Sequence, residues 1–447
     1  MSIEDRGANL WVRGGTVVRP FGTEILDVLV IGGRVQQVQR MVDAPPGCPV
    51  LEARGMLVFP GLIDSQVHFR EPGLEHKEDL ASGSLAAIAG GITAFCEMPN
   101  TKPPTTDPAA LADKLRRAAG RCHSDYSFFL GATAENADRL GEWEHLPGCA
   151  GIKVFMGSST GNLLVEDDRT LERVLRSGTR RVAIHSEDEP RLRDRKAMAT
   201  GGRAHVRMHP EVRDVETAVR STRRLLDLVE RTHRKVHLLH VSTAEEIALL
   251  RERDLGDLVT VEVTPNHLFL VAPDCYDRFG TLAQMNPPVR DRRHQEVLRA
   301  AVAEGFVSCI GSDHAPHTRE EKARDYPDTP SGIAGVQTSL PLLLTAVRDG
   351  WLTLADIPRL LCTGPIAVYQ IAEKGALEPG TDGDLVIVDP DIRSPLPAAA
   401  LQSRCGHSPF LGMERAGWPV VTVLRGRIAW QDGRPTTVRG APLAYRL

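Results

Sequence analysis

Nowhere in this 447-residue chain do 18 or more apolar residues run together, so no segment reads as a membrane span. Paired cysteines are missing too: Cys48, Cys96, Cys122, Cys149, Cys275, Cys309, Cys362 and Cys405 are scattered, with no Cys-x-x-Cys spacing. That excludes a disulfide scaffold and favours reduced thiols, several of them small buried side chains within apolar runs. The opening residues, Met1-Ser2-Ile3-Glu4-Asp5, offer neither a basic nor an apolar stretch, so a cytoplasmic location is expected. An excess of charge of one sign is also lacking. The formal net charge of −4 gives no footprint for a polyanion, and the stretch from Arg213 to Arg224 interleaves arginine with acids and aliphatics, as solvated surface does. Neither nucleic acid nor a membrane is an expected partner. Internal repeats and low-complexity segments are absent.

What the chain does have is eight apolar runs with helical intervals between them, at 62–69, 92–98, 126–132, 152–156, 182–185, 236–241, 259–263 and 307–310. Continuous hydrophobicity suits strands buried on both faces, as parallel barrel strands are. The intervals expected to be helical are 78–89, 109–119, 168–176, 215–232, 244–254 and 294–304. Eight strands with interleaved helices predict a (β/α)8 TIM barrel over residues 59–380. Residues 1–58 and 381–447 read instead as short alternating strands with Gly-rich turns at Gly14-Gly15 and Gly32-Gly33 and an Asp-Gly turn near the end. Neither end has enough strands to bury its own core, so both are assigned to one small discontinuous β-sandwich domain.

Most of the runs break into polar residues at their right-hand ends, where a parallel barrel builds its active site. His68, His185, His240 and Asp313 each stand at such a break. Neutral imidazole is the commonest zinc ligand, and Asp313 can both ligate a metal and accept a proton from an activated water, as a catalytic base must. A single strand-end histidine is usually a hydrogen-bonded rim residue; four ligand-type residues at the same end of separate strands are not expected by chance. His76, His123, His205, His209, His233 and His294 fall in helices or loops and read as structural or solvated. Lys153 is a lone cation inside the strand Gly151-Ile-Lys-Val-Phe-Met156, where an unpaired ammonium is costly. It is expected to be salt-bridged or carboxylated by carbon dioxide, and the neighbouring ligands favour the carbamate.

Four segments carry a resemblance: Phe59-Pro-Gly-Leu-Ile-Asp-Ser-Gln-Val-His-Phe-Arg-Glu-Pro-Gly73, Glu97-Met-Pro-Asn-Thr101, Gly151-Ile-Lys-Val-Phe-Met-Gly157 and Gly311-Ser-Asp-His-Ala-Pro-His317. They resemble the dihydroorotases of the amidohydrolase superfamily, and the likeness continues through Ser403-Arg-Cys-Gly-His-Ser-Pro-Phe410. The resemblance implies reversible hydrolysis of the dihydroorotate ring amide to N-carbamoyl-aspartate, a step of pyrimidine synthesis. It implies one or two Zn2+ ions held by His68, carboxylated Lys153, His185, His240 and Asp313. It places the substrate carboxylate on Arg70, Asn100 and His317, with Asn286 touching the ring. An arginine fork beside the metals suits a small carboxylate, against the alternative of a rim salt bridge from Arg70 to Glu71 or Glu75. A homodimer and aspartate transcarbamoylase are the protein partners that the resemblance admits.

The chain departs from the family pattern at three positions. Gln66 stands at the usual first histidine, Asn266 at a frequent histidine beside His267, and Gln337 at a frequent glutamate. An amide oxygen is a poorer zinc ligand than imidazole, so the ion using Gln66 and His68 is expected to bind weakly or not at all. Two rival functions stay open. One is another cyclic amidohydrolase, such as an allantoinase or hydantoinase; the other is a catalytically silent scaffold for aspartate transcarbamoylase.

Overall fold

A computed structural model describes residues 8–158, 163–199 and 204–446. Five strands come first: β1 (Leu10–Arg19), β2 (Gly22–Ile31), β3 (Arg34–Gln39), β4 (Val50–Glu52) and β5 (Leu57–Pro60). The expected turn at Gly14-Gly15 is instead a bulge within β1, with the register against β2 shifting between Val12 and Gly15. The reason is local: Gly14 takes φ +69°, and a Cβ at Gly15 would lie 2.4 Å from Val58 Cγ2, so the strand can kink there without ending. At the other end of the chain stand β14 (Leu385–Asp389), β15 (Trp418–Leu424), β16 (Arg427–Gln431) and β17 (Arg434–Pro435). The two ends join where β5 pairs antiparallel with β14, so that one nine-stranded mixed sheet runs β17-β16-β15-β14-β5-β1-β2-β3, with β4 beside β1. Val12, Val28, Val58, Leu385, Ile387 and Val423 form its core.

Between these ends lie the eight expected parallel strands: β6 (Leu62–Val67), β7 (Ile92–Glu97), β8 (Asp125–Gly131), β9 (Cys149–Phe155), β10 (Val182–His185), β11 (Val236–Leu238), β12 (Val259–Val263) and β13 (Cys309–Ile310). They pair in chain order. A bridge between Val67 and His314 brings the last strand onto the first, making a TIM-like barrel. The run expected over 236–241 stops early at Leu238, because His240 takes φ +41°. The helices agree closely with expectation: Val215–Thr232 carries a buried stripe of Ala218, Leu225, Leu226 and Val229, and Asp214 caps its start. Among the described residues no helix is long and apolar enough to cross a membrane.

The far end of the barrel is plugged by Tyr369, Ile371 and Leu443, which pack on Phe129 and Ala183. A dry charge cluster locks this end to the β-domain. Asp125, the first residue of β8, accepts from Lys374, from Arg425 Nη1 at 2.6 Å and from the Ala441 N–H at 2.7 Å. Lys374 also reaches Asp384 at 2.7 Å and Asp382 at 2.5 Å. Removing one partner of such a cluster leaves uncompensated buried charge, which costs about 3–5 kcal/mol. Lys374→Met is therefore expected to lower the stability of the folded chain by about that amount, measured by denaturant unfolding. A variant as stable as the wild type would show that the three carboxylates take up protons at no cost.

Candidate active site

All five expected metal-binding residues meet at the mouth of the barrel. His68 follows β6, Lys153 lies in β9, His185 ends β10, and His240 and Asp313 follow β11 and β13. With Gln66 they line a cavity of about 20 Å³, close to the size of one water. Asn286 and Ser331 line this cavity and also a larger one of about 570 Å³ beyond it, so the small chamber opens into a wide vestibule.

The hydrogen bonds fix which atoms face inward. Asn100 Oδ1 accepts from His68 Nδ1 at 2.7 Å, so His68 Nε2 is an acceptor, and it faces a second acceptor, Asp313 Oδ1, at 3.1 Å. Burial lowers the pKa of His68, which opposes a second proton on the ring. Gln66 Nε2 donates to the same Asp313 oxygen at 3.0 Å, while Gln66 Oε1 is buried without a partner. On the opposite wall His185 Nε2 donates to Glu187 Oε2 at 2.9 Å, leaving Nδ1 as a lone pair 3.0 Å from His240 Nε2. Burial lowers both imidazoles, His240 well below its ordinary value. The facing lone pairs of His68 and Asp313 are poorly matched alone and well matched around a cation, whereas His240, whose Nδ1 has no partner, can donate from Nε2 to His185 Nδ1. The residues therefore fit zinc.

Lys153 is 1 % exposed, and among the described residues no carboxylate is in ion-pair contact with it. Its Nζ stands 4.5 Å from the Phe155 ring centroid. Burial pushes its pKa down to about 7, against the pull of Asp313 and Glu262. A substantial neutral fraction is thus available at neutral pH, and the neutral amine is the form that attacks carbon dioxide.

Arg70 and His317 form a second group beside the first. Arg70 is 2 % exposed, donates from Nε to the Pro316 carbonyl at 3.1 Å, and sets Nη2 3.2 Å from His317 Nε2. The salt bridge to Glu71 or Glu75 does not form. Glu71 turns to Arg121 and Arg117, and Glu75 accepts from the Gly73 N–H. Burial lowers Arg70 to about 10, and burial together with Arg70 lowers His317 to about 3. Arg70 is a buried cation with no carboxylate partner among the described residues. Asn286 Oδ1 accepts from His209 Nε2 at 3.0 Å, so His209, read from the sequence as structural or solvated, orients a residue of the cavity wall.

Two departures lie away from these contacts. Gln337 donates to the Ala400 carbonyl and accepts from the Gln402 N–H at 2.8 Å, pinning the segment after the barrel. Asn266 is buried with neither amide atom partnered, and His267 bonds Thr264 and the Pro287 carbonyl.

Sequence reasoning missed Glu187. It is fully buried and gripped by Arg213, whose Nε and Nη2 reach it at 3.0 and 2.5 Å while Nη2 also donates to the Ser158 carbonyl. Burial opposes its ionisation, but Arg213 and His185 outweigh burial and hold the carboxyl well below the usual range. Its only sequence signal was its place two residues after His185.

A parallel barrel whose mouth gathers imidazoles, a carboxylate and a buried lysine is a layout on which metal-assisted hydrolysis can be built. Residues 57–429 match the model of the amidohydrolase family, and the chain belongs to that family. It is 35 % identical over 418 residues to a dihydroorotase of Methanosarcina acetivorans, covering 91 % of this chain and 88 % of that one. A dihydroorotase of Halobacterium salinarum is 36 % identical over 412 residues, covering 92 % and 94 %. Among solved structures, an L-hydantoinase (dihydropyrimidinase) from Arthrobacter aurescens superposes with a TM-score of 0.90 at 27 % identity, covering 96 % and 97 %. A D-hydantoinase from Bacillus sp. AR9 gives 0.88 at 28 %, covering 97 % and 98 %.

Because Glu187 fixes the His185 tautomer and ring orientation, Glu187→Gln is expected to weaken metal binding about 10- to 100-fold. Competition with a chelator measures this. Unchanged affinity would restrict Glu187 to holding Arg213.

Proposed function

We propose that this chain is a dihydroorotase, opening the ring amide of dihydroorotate to N-carbamoyl-aspartate and closing it again. The observation that carries the reading is Arg70, a buried guanidinium with no carboxylate partner among the described residues, next to the chamber of imidazoles. A substrate carboxylate supplies the missing counter-charge. The dihydroorotases at 35–36 % identity support the same substrate, while the hydantoinase neighbours support ring-amide hydrolysis in general.

The residues divide the work. Lys153 as the free amine adds to carbon dioxide, losing one proton and becoming a carbamate anion that, with His185 and His240, would hold one zinc; His68 and Asp313 would hold a second. Bound there, zinc would supply the Lewis acidity that polarises a ring carbonyl and acidifies a water. Gln66 offers only an amide to the second position, so that position is the weaker of the two. Arg70 and His317 hold the carboxylate, and Asn100 sets the tautomer of His68. Asp313 receives a proton as water adds to the carbonyl carbon and returns it to the ring nitrogen as the C–N bond breaks. Buried walls keep the reacting groups oriented. A silent scaffold has no use for a buried lysine and an unpaired arginine, both costly to a fold that does no chemistry.

Arg70→Met is expected to lose about 2–4 kcal/mol of transition-state binding, on the order of 30- to 1000-fold in kcat/KM for dihydroorotate. Near wild-type turnover would exclude the assignment and favour an uncharged ring such as a hydantoin. Lys153→Ala is expected to lose metal and activity together, with partial recovery when a small carboxylic acid is added. Full activity with an unmodified Lys153 in the wild type would overturn the carbamate.

A further inference from the structure

A second set of ligand-type side chains lies inside the barrel, below the mouth. Three strands contribute: His237 from β11, Glu262 from β12 and Cys309 from β13, none of them exposed. His237 Nε2 is 3.5 Å from Glu262 Oε2, Cys309 Sγ is 3.5 Å from His237 Nε2, and Cys309 Sγ is 3.8 Å from Glu262 Oε2. The N···O separation is too long for a good hydrogen bond. Zinc bond lengths to sulfur, nitrogen and oxygen give tetrahedral ligand-to-ligand edges of about 3.4–3.6 Å. Two edges of the triangle match one face of a zinc tetrahedron, and the third, from Cys309 Sγ to Glu262 Oε2, is longer at 3.8 Å. Ser65 Oγ, 2.7 Å from Glu262 Oε2 and 3.9 Å from Cys309 Sγ, stands alongside as an additional oxygen.

The proton arrangement agrees. Thr260 Oγ1 donates to the Val236 carbonyl, so it accepts from His237 Nδ1 at 2.8 Å, and His237 Nε2 presents a lone pair to the other two groups. A second observation concerns atoms outside the triangle. Glu262 Oε1 and the neighbouring Asp64 Oδ2 are buried with no partner, and among the described residues no lysine or arginine is in ion-pair contact with either carboxylate. The other buried carboxylate cluster, Asp125, Asp382 and Asp384, is neutralised by Lys374 and Arg425. Among the described residues no ion pair of that kind neutralises the floor carboxylates, although Lys153 stands within electrostatic reach of Glu262.

We propose that His237, Glu262 and Cys309 form a structural site for a thiophilic divalent cation of the zinc type, distinct from the centre at the mouth. Binding displaces the thiol proton of Cys309, so the dication, thiolate and carboxylate sum to zero charge in a dry interior. The ion ties β11, β12 and β13 together directly beneath the turn that carries Asp313, where Gly311 lies so close that a Cβ would meet Glu262 Oε2 at 2.6 Å.

Cobalt substitution tests this in the full-length protein. The expected mouth ligands contain no sulfur, so a thiolate-to-cobalt charge-transfer band in the near ultraviolet reports the floor site alone. The expected result is that band in the wild type, its retention in His185→Ala/His240→Ala with an emptied mouth, and its loss in Cys309→Ala together with one equivalent of metal. His237→Asn provides a second variant, expected to abolish the band or shift it, should Cys309→Ala fail to fold. A fully cobalt-loaded wild type without the band, or a band and metal content unchanged in Cys309→Ala, would overturn the proposal. Either result leaves the dihydroorotase reading untouched, since that reading rests on Arg70 and the mouth.

Discussion

The His68 N–H donates to the His314 carbonyl at 2.7 Å, and the Ser312 N–H donates to Asp64 Oδ1 at 3.0 Å. These bonds stitch the last strand of the barrel to the first. Everything at the mouth depends on them, because they bring Asp313 beside His68 and Gln66, residues separated by about half the chain. The closure also sets the size of the chamber. With β6 and β13 apart, Asp313 would face solvent and carry no special chemistry; with them joined, it shares a chamber of about 20 Å³ with imidazoles from β10 and β11.

Closure creates a dry interior, and the charges placed in it are handled in different ways. Lys374 and Arg425 are matched by three aspartates, and Lys114 by Glu97, so these charges serve only to hold elements together. Glu187 is matched by Arg213 and spends its remaining acceptor capacity on His185, which couples a structural ion pair to the ring that faces the chamber. Arg70, Lys153, Lys322 and Arg290 are left without carboxylate partners among the described residues, but Lys322 donates to three backbone carbonyls and Arg290 to two. A buried charge unmatched within the fold is a strong pointer to what the fold binds or how it is modified. The Arg70 guanidinium cannot give up its proton and calls for an external anion, whereas the Lys153 amine can and is open to carboxylation.

Legibility in the sequence followed the same physics. Strands buried on both faces are continuous apolar runs, so all eight were visible, and the polar residues breaking them marked the mouth. Val215–Thr232 was legible to the residue because its stripe has helical period and Asp214 caps it. The bulge in β1 was not, since Gly14-Gly15 reads as a turn unless the approach of Val58 is known. Glu187 and Arg213 are far apart in sequence and meet only when β10 and the loop before a helix fold together. His237 was hidden for a different reason. It sits within an apolar run where a histidine reads as core, and its partners Glu262 and Cys309 belong to strands that become neighbours only in the barrel. His209 read as structural or solvated because nothing in its sequence context points to Asn286.

Three of the nine non-glycine residues with positive φ among the described residues stand at the mouth or beside it. Arg70, His240 and Asp313 all take positive φ, at 69°, 41° and 47°, in a region that non-glycine residues seldom occupy. Each such residue costs on the order of 1–3 kcal/mol and persists only where surrounding structure over-determines it. Here each follows a buried strand; His240 and Asp313 line the chamber, and Arg70 reaches the Pro316 carbonyl and His317 beside it. A strand continuing in extended geometry would alternate its side chains between the barrel interior and the surrounding helices. Breaking it with one left-handed residue lets His240 and Asp313 line the chamber instead. The barrel's large buried core supplies the stability against which that local cost is set, and this allows a rigid mouth to be built from residues that would not adopt these conformations in isolation.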